Sequence, residues 1–423
     1  MGSFEGMKLF IPYTIPGERV TFRIVQSRKR YAWAELEEVI DPSPGRRQPP
    51  CPYFGRCGGC QWQHMLDSTQ IFWKERIFRD VLTRMGNVEE SRIKHLTPSP
   101  LALGYRHRIN LKVRNGKMGF LSGKSHMLEE IKKCLLACSN IQEAMGKIRK
   151  KFYGLPSGDL ELVVSPDEPG VMLSARFNTR LRQKRRKKLK GIVSEVSQLN
   201  SLYVSSPGEE WEKSFTASPS GEAGLGFKLD LSAQSCYSPL NLTFFPGVFI
   251  QVNWKQNIKL IENLLTTVNG LGKQLRILKL YAGAGNFTVP LAAAGHTLVT
   301  VEQGARAVTN ARFNLAKNNL GGVQLLQQSA EHALLEIEAR RQNFHVLVAD
   351  PPRAGLKQEI STLIRLKIPY LIYISCDPAT LSRDLRILIG AGYEVEYVQP
   401  LDFFPQTYHV ESITFLRLAK FTP

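Results

Sequence analysis

Apolar and polar residues change rhythm near residue 241. Beyond it, short apolar runs at 276–281, 298–301, 323–326, 345–349, 370–375, 393–398 and 412–418 alternate with stretches of helical spacing such as 305–318. Runs of that length read as strands. Their alternation with helices predicts a doubly wound, Rossmann-like α/β domain over 241–423. The first 48 residues have a period of two instead. Residues 19–25 and 31–36 alternate in strand fashion around a basic turn at Lys29 and Arg30, with aromatics interleaved. That pattern predicts a small OB-like β-barrel over 1–48 that grips RNA. The Pro-rich stretch 41–50 breaks regular structure and reads as a linker. Between the two lies a mixed α+β central domain, 49–240. Within it, residues 66–86 have helical spacing, with Ile71, Trp73, Ile77, Val81 and Leu82 on the packing side, and 66–100 is a candidate for packing against the C-terminal domain. Residues 105–113 read as a basic strand with His107 facing outward, and 206–225 as an exposed loop.

Composition adds a polyanion partner. The formal net charge is +19, and nucleic acid is the usual reason for such an excess, because each phosphate contacted by Lys or Arg releases counterions. Much of it sits in 176–190, where nine Lys and Arg residues crowd together; RNA backbone contact is one reading, a solvated face the other. No apolar run reaches the roughly 18 residues that suggest a membrane span, and the first 19 residues lack a secretory pattern, so a cytoplasmic protein without a membrane partner is expected. A monomer is expected as well.

Seven cysteines are present. An odd count in a chain read as cytoplasmic argues against a disulfide framework. Cys51, Cys57 and Cys60 fall within ten residues, among glycines that let backbone wrap a compact inorganic core. A fourth ligand must come from elsewhere, with Cys134 and Cys138 as candidates. Zinc or a [4Fe–4S] cluster takes four thiolates; the absence of a second C-x-x-C pair favours iron–sulfur.

Three predicted strand ends carry the chemistry, since open α/β sheets bind ligands at the carboxyl edge of their strands. The run 277–281 enters Ala282-Gly283-Ala284-Gly285-Asn286, a turn that lets backbone approach a ligand. Glu302 ends the next strand, where an acid can accept hydrogen bonds from a ribose diol. Thr288 replaces the third glycine of a dinucleotide fingerprint, so S-adenosylmethionine fits better than a dinucleotide. Asp350 follows the run 346–349, and Cys376 follows 370–375. A buried structural thiol is the bland reading of Cys376, but its place before Asp377-Pro378 favours a nucleophile. With Glu411 as base, a thiolate suits methylation at C5 of uracil: addition at C6 makes C5 nucleophilic, and a base then removes the C5 proton.

Five motifs in order resemble the RNA uracil-5-methyltransferases: Phe249-Ile250-Gln251-Val252-Asn253, Tyr281-Ala282-Gly283-Ala284-Gly285-Asn286-Phe287-Thr288, Asp350-Pro351-Pro352-Arg353-Ala354-Gly355, Ser375-Cys376-Asp377-Pro378-Ala379-Thr380 and His409-Val410-Glu411. The N-terminal segment resembles that family's TRAM domain, and the cysteine cluster resembles the iron–sulfur site of its 23S rRNA branch. The resemblance implies Cys376 as nucleophile and Glu411 as base. It implies Gln251, Tyr281, Gly283, Asn286, Glu302, Ser329 and Asp350 at the cofactor, Phe249 and Asp350 at the substrate, and Cys51, Cys57, Cys60 and Cys134 on a [4Fe–4S] cluster. The implied activity is S-adenosylmethionine-dependent methylation of uridine C5 in 23S rRNA. The alternatives are C5 methylation of tRNA uridine 54, or a non-catalytic RNA-binding protein with a degenerate methyltransferase domain. Three residues depart from the family pattern: Lys279 stands where Asp is usual, Asp377 where Asn is usual, and Ser329 where an acid or amide often meets the adenine. Weaker cofactor binding is the expectation from Ser329.

Overall fold

The computed structural model describes residues 2–123, 125–168, 170–209, 211–216, 224–231 and 239–419; the side chains of 193, 194 and 212–216 lie outside that description, as does Cys236. The C-terminal sheet has seven strands in the spatial order Val323–Gln327, Thr297–Glu302, Arg276–Leu280, Val346–Ala349, Tyr370–Ser375, Glu411–Leu418 and Tyr393–Leu401. The first five are parallel, and the last two run antiparallel to their neighbours. All seven predicted strands are present, with ends displaced by a few residues. Chain order reverses between Arg276–Leu280 and Val346–Ala349, and the crevice outside the strand ends at such a switch point is where α/β sheets hold ligands. Both faces of the sheet are covered: helix Trp254–Leu271 lies in the apolar cluster on one side and helix Pro378–Gly390 in the cluster on the other.

Helix Asp67–Gly86 belongs physically to this domain although it precedes it by far in sequence. Phe78, Leu82, Val88, Ile93 and Leu96 join Leu381, Leu385 and Leu388 in the second cluster. Isolated bridges Ile93↔Val398 and Thr97↔Leu401 continue the sheet edge. Of the predicted packing side, Ile71, Val81 and Leu82 do join the second cluster, and Ile77 needs correction. The helix buries Gln70, Lys74, Phe78 and Leu82, whereas Ile77 is 48 % exposed. The register is set by a buried ion pair, with Lys74 Nζ donating to Asp402 Oδ1 at 2.7 Å and to the Phe404 carbonyl at 2.9 Å. A buried charge commands its partner more strongly than one Ile commands burial.

The central domain is a second seven-stranded sheet, in the order Glu212–Thr216, Leu199–Ser205, Val171–Phe177, Gly158–Val164, Arg108–Arg114, Lys117–Leu121 and Leu128–Glu130. Helices Ser139–Ile148 and Gln183–Glu195 pack in its core. Half of the basic block is therefore helical: Leu189 faces the core while Lys184, Arg185, Lys187 and Lys188 stay in solvent. The expected loop at 206–225 contains the edge strand Glu212–Thr216, and residues 217–223 lie outside the described residues. His107 is half-buried, not outward-facing: its Nδ1 is buried, and its backbone N–H donates to Val252 O of the C-terminal domain at 2.9 Å.

The closed N-terminal barrel is not what forms. Gly2–Phe4, Met7–Phe10, Tyr31–Asp41 and Arg19–Ser27 make an open four-stranded sheet in that order. Strands of three and four residues beside strands of nine and eleven cannot match edges all round. Few residues of the sheet, Leu9, Ala32 and Ala34 among them, are buried.

Candidate active site

Sheet register, not sequence proximity, assembles the site. Tyr370–Ser375 pairs with Glu411–Leu418 so that Ser375 faces Ser412. Cys376 and Glu411 are the next residues outward and stand side by side at the carboxyl edge. Asp350 leaves the adjacent strand Val346–Ala349 at the same edge. Asp377 caps helix Pro378–Gly390, its Oδ1 accepting from the amides of Ala379 at 3.0 Å and Thr380 at 2.9 Å. Asp serves as an N-cap as well as Asn does, so this departure preserves the geometry and adds a negative charge beside the thiol.

Those charges set the protonation of the site. Burial pushes the Cys376 thiol up to about 11, and the carboxylates of Glu411, Asp350 and Asp377 push in the same direction; Arg353 opposes them. Burial and then Asp350 raise Glu411 to about 8, again with Arg353 opposing. Asp350 itself is raised to about 6 by burial, with Lys279 pulling it back. Arg353 is thus the cation that the nucleophile and the base share. It was legible within the Asp-Pro-Pro-Arg motif but received no role from the sequence. Its guanidinium also stands 3.5 Å from His409 Nε2.

The glycine turn lies at the end of Arg276–Leu280. Gly283 and Gly285 have φ of +56° and +94°, which glycine adopts without strain. Glu302 accepts from the amides of Gly283 at 2.9 Å and Gly304 at 2.7 Å. Its carboxylate thereby shapes the turn, and each oxygen keeps a lone pair for a ligand hydroxyl. Tyr281, at φ +59°, donates its hydroxyl to Glu359 at 2.7 Å. Asn286 exchanges two amide hydrogen bonds with Asn257, at 2.8 and 2.9 Å. Glu359 and Asn257 carry no motif signal, and only the fold reveals them. Gln251 is buried, and Phe249 is 62 % exposed with the Arg108 guanidinium 5.4 Å from its ring centre. Ser329 caps helix Ala330–Ala339, its Oγ accepting from the His332 amide at 3.2 Å, so its hydroxyl oxygen already serves the backbone.

A second centre lies in the central domain. Cys51, Cys57, Cys60 and Cys134 line one cavity of about 260 Å³, together with Arg106. Cys138 is not among its lining residues; it precedes helix Ser139–Ile148 and packs against the central core. Burial pushes Cys57 to about 11 and Cys60 to about 12, and neighbouring thiols add to both shifts. No three His, Cys, Asp or Glu side chains among the described residues are arranged to hold a single metal ion.

Proteins similar to this chain over nearly its full length are known. An RNA methyltransferase of Protochlamydia amoebophila, itself uncharacterized, is 30 % identical over 98 % of this chain and 93 % of its own length. The 23S rRNA (uracil(1939)-C(5))-methyltransferase RlmD of Pectobacterium atrosepticum is 31 % identical over 97 % of this chain and 88 % of its own. The chain belongs to the RNA uracil-5-methyltransferase family. It is a methyltransferase, and the family profile described as tRNA (Uracil-5-)-methyltransferase matches residues 239–419. The fold is shared with the Pyrococcus abyssi tRNA (uracil-54, C5)-methyltransferase, solved with S-adenosyl-L-homocysteine. The TM-score is 0.73 at 24 % identity, over 96 % of this chain and 94 % of that one.

Proposed function

We propose that this methyltransferase uses S-adenosylmethionine to methylate C5 of a uridine in 23S rRNA. The observation that carries the chemistry is the register that sets Cys376 beside Glu411. The near full-length likeness to RlmD of Pectobacterium atrosepticum supports the substrate class. Gly283, Glu302, Asn286 and Gln251 form the cofactor's bed, and Phe249 offers an exposed ring to the RNA. When bound, S-adenosylmethionine supplies a methyl group on a sulfonium and leaves as the thioether. Cys376 first gives up its proton to solvent water, and its sulfur bonds to uracil C6, which moves the ring electrons toward C5 and O4. Once C5 carries the methyl group, ionised Glu411 takes the C5 proton. The electrons of that C–H bond restore the C5–C6 double bond and expel the Cys376 thiolate.

The Cys51, Cys57, Cys60 and Cys134 cavity suits a [4Fe–4S] cluster. Four thiols converge there, and bound iron would hold as thiolates groups that burial otherwise keeps protonated. The N-terminal sheet reads as a TRAM-like RNA contact despite its open edge. Phe10, Tyr31 and Trp33 are all partly exposed, with Tyr31 and Trp33 rings 5.0 Å apart, a surface on which unpaired bases can stack. No helix among the described residues is long and apolar enough to cross a membrane.

Transfer of labelled methyl to separate 23S rRNA and tRNA transcripts, with 5-methyluridine identified by mass spectrometry, tests the reading. Label in rRNA is expected. Label in tRNA alone favours the second reading, which the profile's own description supports. Cys376→Ala abolishes transfer and the covalent RNA adduct, whereas Glu411→Gln accumulates the adduct. Substantial methylation by Cys376→Ala refutes the mechanism.

A further inference from the structure

Beneath the glycine turn lies a buried cation. Lys279, on the strand Arg276–Leu280, is 0 % exposed. Its Nζ donates to the carbonyl of Leu280 at 2.6 Å and to that of Tyr281 at 3.0 Å. The first is the last carbonyl of the strand. The second belongs to the residue at φ +59° that opens the turn. A bulky residue in the left-handed region is strained and persists only where its surroundings enforce it. The Phe287 ring lies 5.5 Å from the ammonium, just beyond the turn. The charged groups facing Lys279 are Asp350 and Glu302. They end the two strands that flank Arg276–Leu280, in which Lys279 pairs with Thr300 on one side and Val348 on the other. One cation therefore sits between the two carboxylates that frame the cofactor crevice. A carboxylate at position 279 could not make these bonds, because it would repel both carbonyls.

We propose that Lys279 is a positioning residue for the cofactor: its ammonium clamps the carbonyls of Leu280 and Tyr281 into the turn and balances Glu302 and Asp350 across it. The assignment rests on reading the turn as the S-adenosylmethionine site. Lys279 touches neither reactant; it acts through the backbone that does and through two carboxylates, one of which faces Cys376 and Glu411. Desolvation brings the ammonium down to about 8, against the pull of Asp350 and Glu302. It is charged at neutral pH and loses its charge in the mildly alkaline range.

Calorimetric binding of S-adenosylhomocysteine from pH 6.5 to 9.5 tests this. That probe lacks the sulfonium, so repulsion between cations does not mask the state of the turn. The wild type should bind at pH 7 and weaken as pH rises through 8. Lys279→Met removes donors and charge together and should bind roughly tenfold or more weakly at pH 7, with a flat profile above it. Lys279→Gln, which retains N–H donors without charge, should fall between the two and also lose the pH dependence. Lys279→Met binding within threefold of wild type at pH 7 overturns the proposal, as does a Met variant that keeps the wild-type pH profile. If neither variant folds, the wild type and Glu411→Gln decide together: affinity unchanged from pH 7 to 9.5 in the wild type overturns the proposal, as does a decline that Glu411→Gln abolishes, whereas a decline that Glu411→Gln retains supports it. A wild type that binds no S-adenosylhomocysteine at any pH sinks the cofactor reading instead.

Discussion

The protonation of Cys376 gives the sharpest test of the site. Its thiol is held near 11, so at pH 8 about one molecule in a thousand carries a thiolate, against about one in ten for a thiol with a pKa near 9. A more basic thiolate is also more nucleophilic, which recovers roughly a factor of ten over two units. Alkylation of Cys376 by iodoacetamide at pH 8 should thus run about tenfold slower than that of an ordinary accessible thiol. It should still be climbing steeply at pH 9.5, where an ordinary thiol is already roughly three-quarters ionised. Glu411 contributes its charge only when ionised, above about 8. Glu411→Gln should therefore leave the rate nearly unchanged at pH 7 and raise it several-fold at pH 9.5. Arg353→Gln should slow it, because the cation opposing the thiol's upward shift is gone. The assay is mass-spectrometric quantitation of the Cys376 peptide, so the other thiols do not contribute. A wild-type profile that levels by pH 9, or a Glu411→Gln profile superimposable on it, would refute this account of the electrostatics.

Three other outcomes are expected. Lys74→Ala strands Asp402 in the interior and should cost about 3–5 kcal/mol in chemical denaturation; a loss under 1 kcal/mol would mean the pair is not buried in solution. Asp350 and Glu411 have folded pKa values of about 6 and 8, above their unfolded values. The stability they contribute is complete below about pH 4 and is lost as pH rises through those values. The cofactor-free protein should therefore be less stable at pH 8.5 than at 6 by roughly 1–3 kcal/mol, with Glu411→Gln reducing the difference; equal stability at both would contradict the assignment. Cys134→Ser should lose bound iron in anaerobically purified protein while Cys138→Ser retains it, and the reverse result would exchange the two thiols.

Strand ends were legible because a buried parallel strand needs an unbroken apolar run, and the residue after each run must fall at the ligand edge. Glu302, Asp350 and Cys376 follow from that rule alone, and Gly283 lies one residue further on. The adjacency of Cys376 and Glu411 does not. It depends on the last strand inserting antiparallel between its two predecessors, and no local pattern encodes which neighbour a strand chooses. Partners such as Glu359 and Asn257 were hidden for the same reason. Barrel closure failed as an expectation because period two specifies which face is buried but not whether two edges meet. On helix Asp67–Gly86, Ile71, Val81 and Leu82 pack as expected, but Ile77 was misassigned because Lys74 reads as a solvent residue until Asp402 is placed beside it.

That helix also constrains how the protein is made. Its apolar partners Leu381, Leu385 and Leu388 are encoded some 300 residues later; the Ser382 hydroxyl donates to Val81 O across a separation of 301. At ribosomal speeds of about 5–20 residues per second, residues 67–97 emerge roughly 15–60 s before the sheet they complete. During synthesis Phe78 and Leu82 have no native surface to cover them, and a chain truncated before residue 378 never acquires one. Conversely, a fragment that begins at 241 lacks the segment that seals one side of its sheet. The methyltransferase fold here is a late-closing assembly, in which an early helix waits for partners encoded some 300 residues downstream.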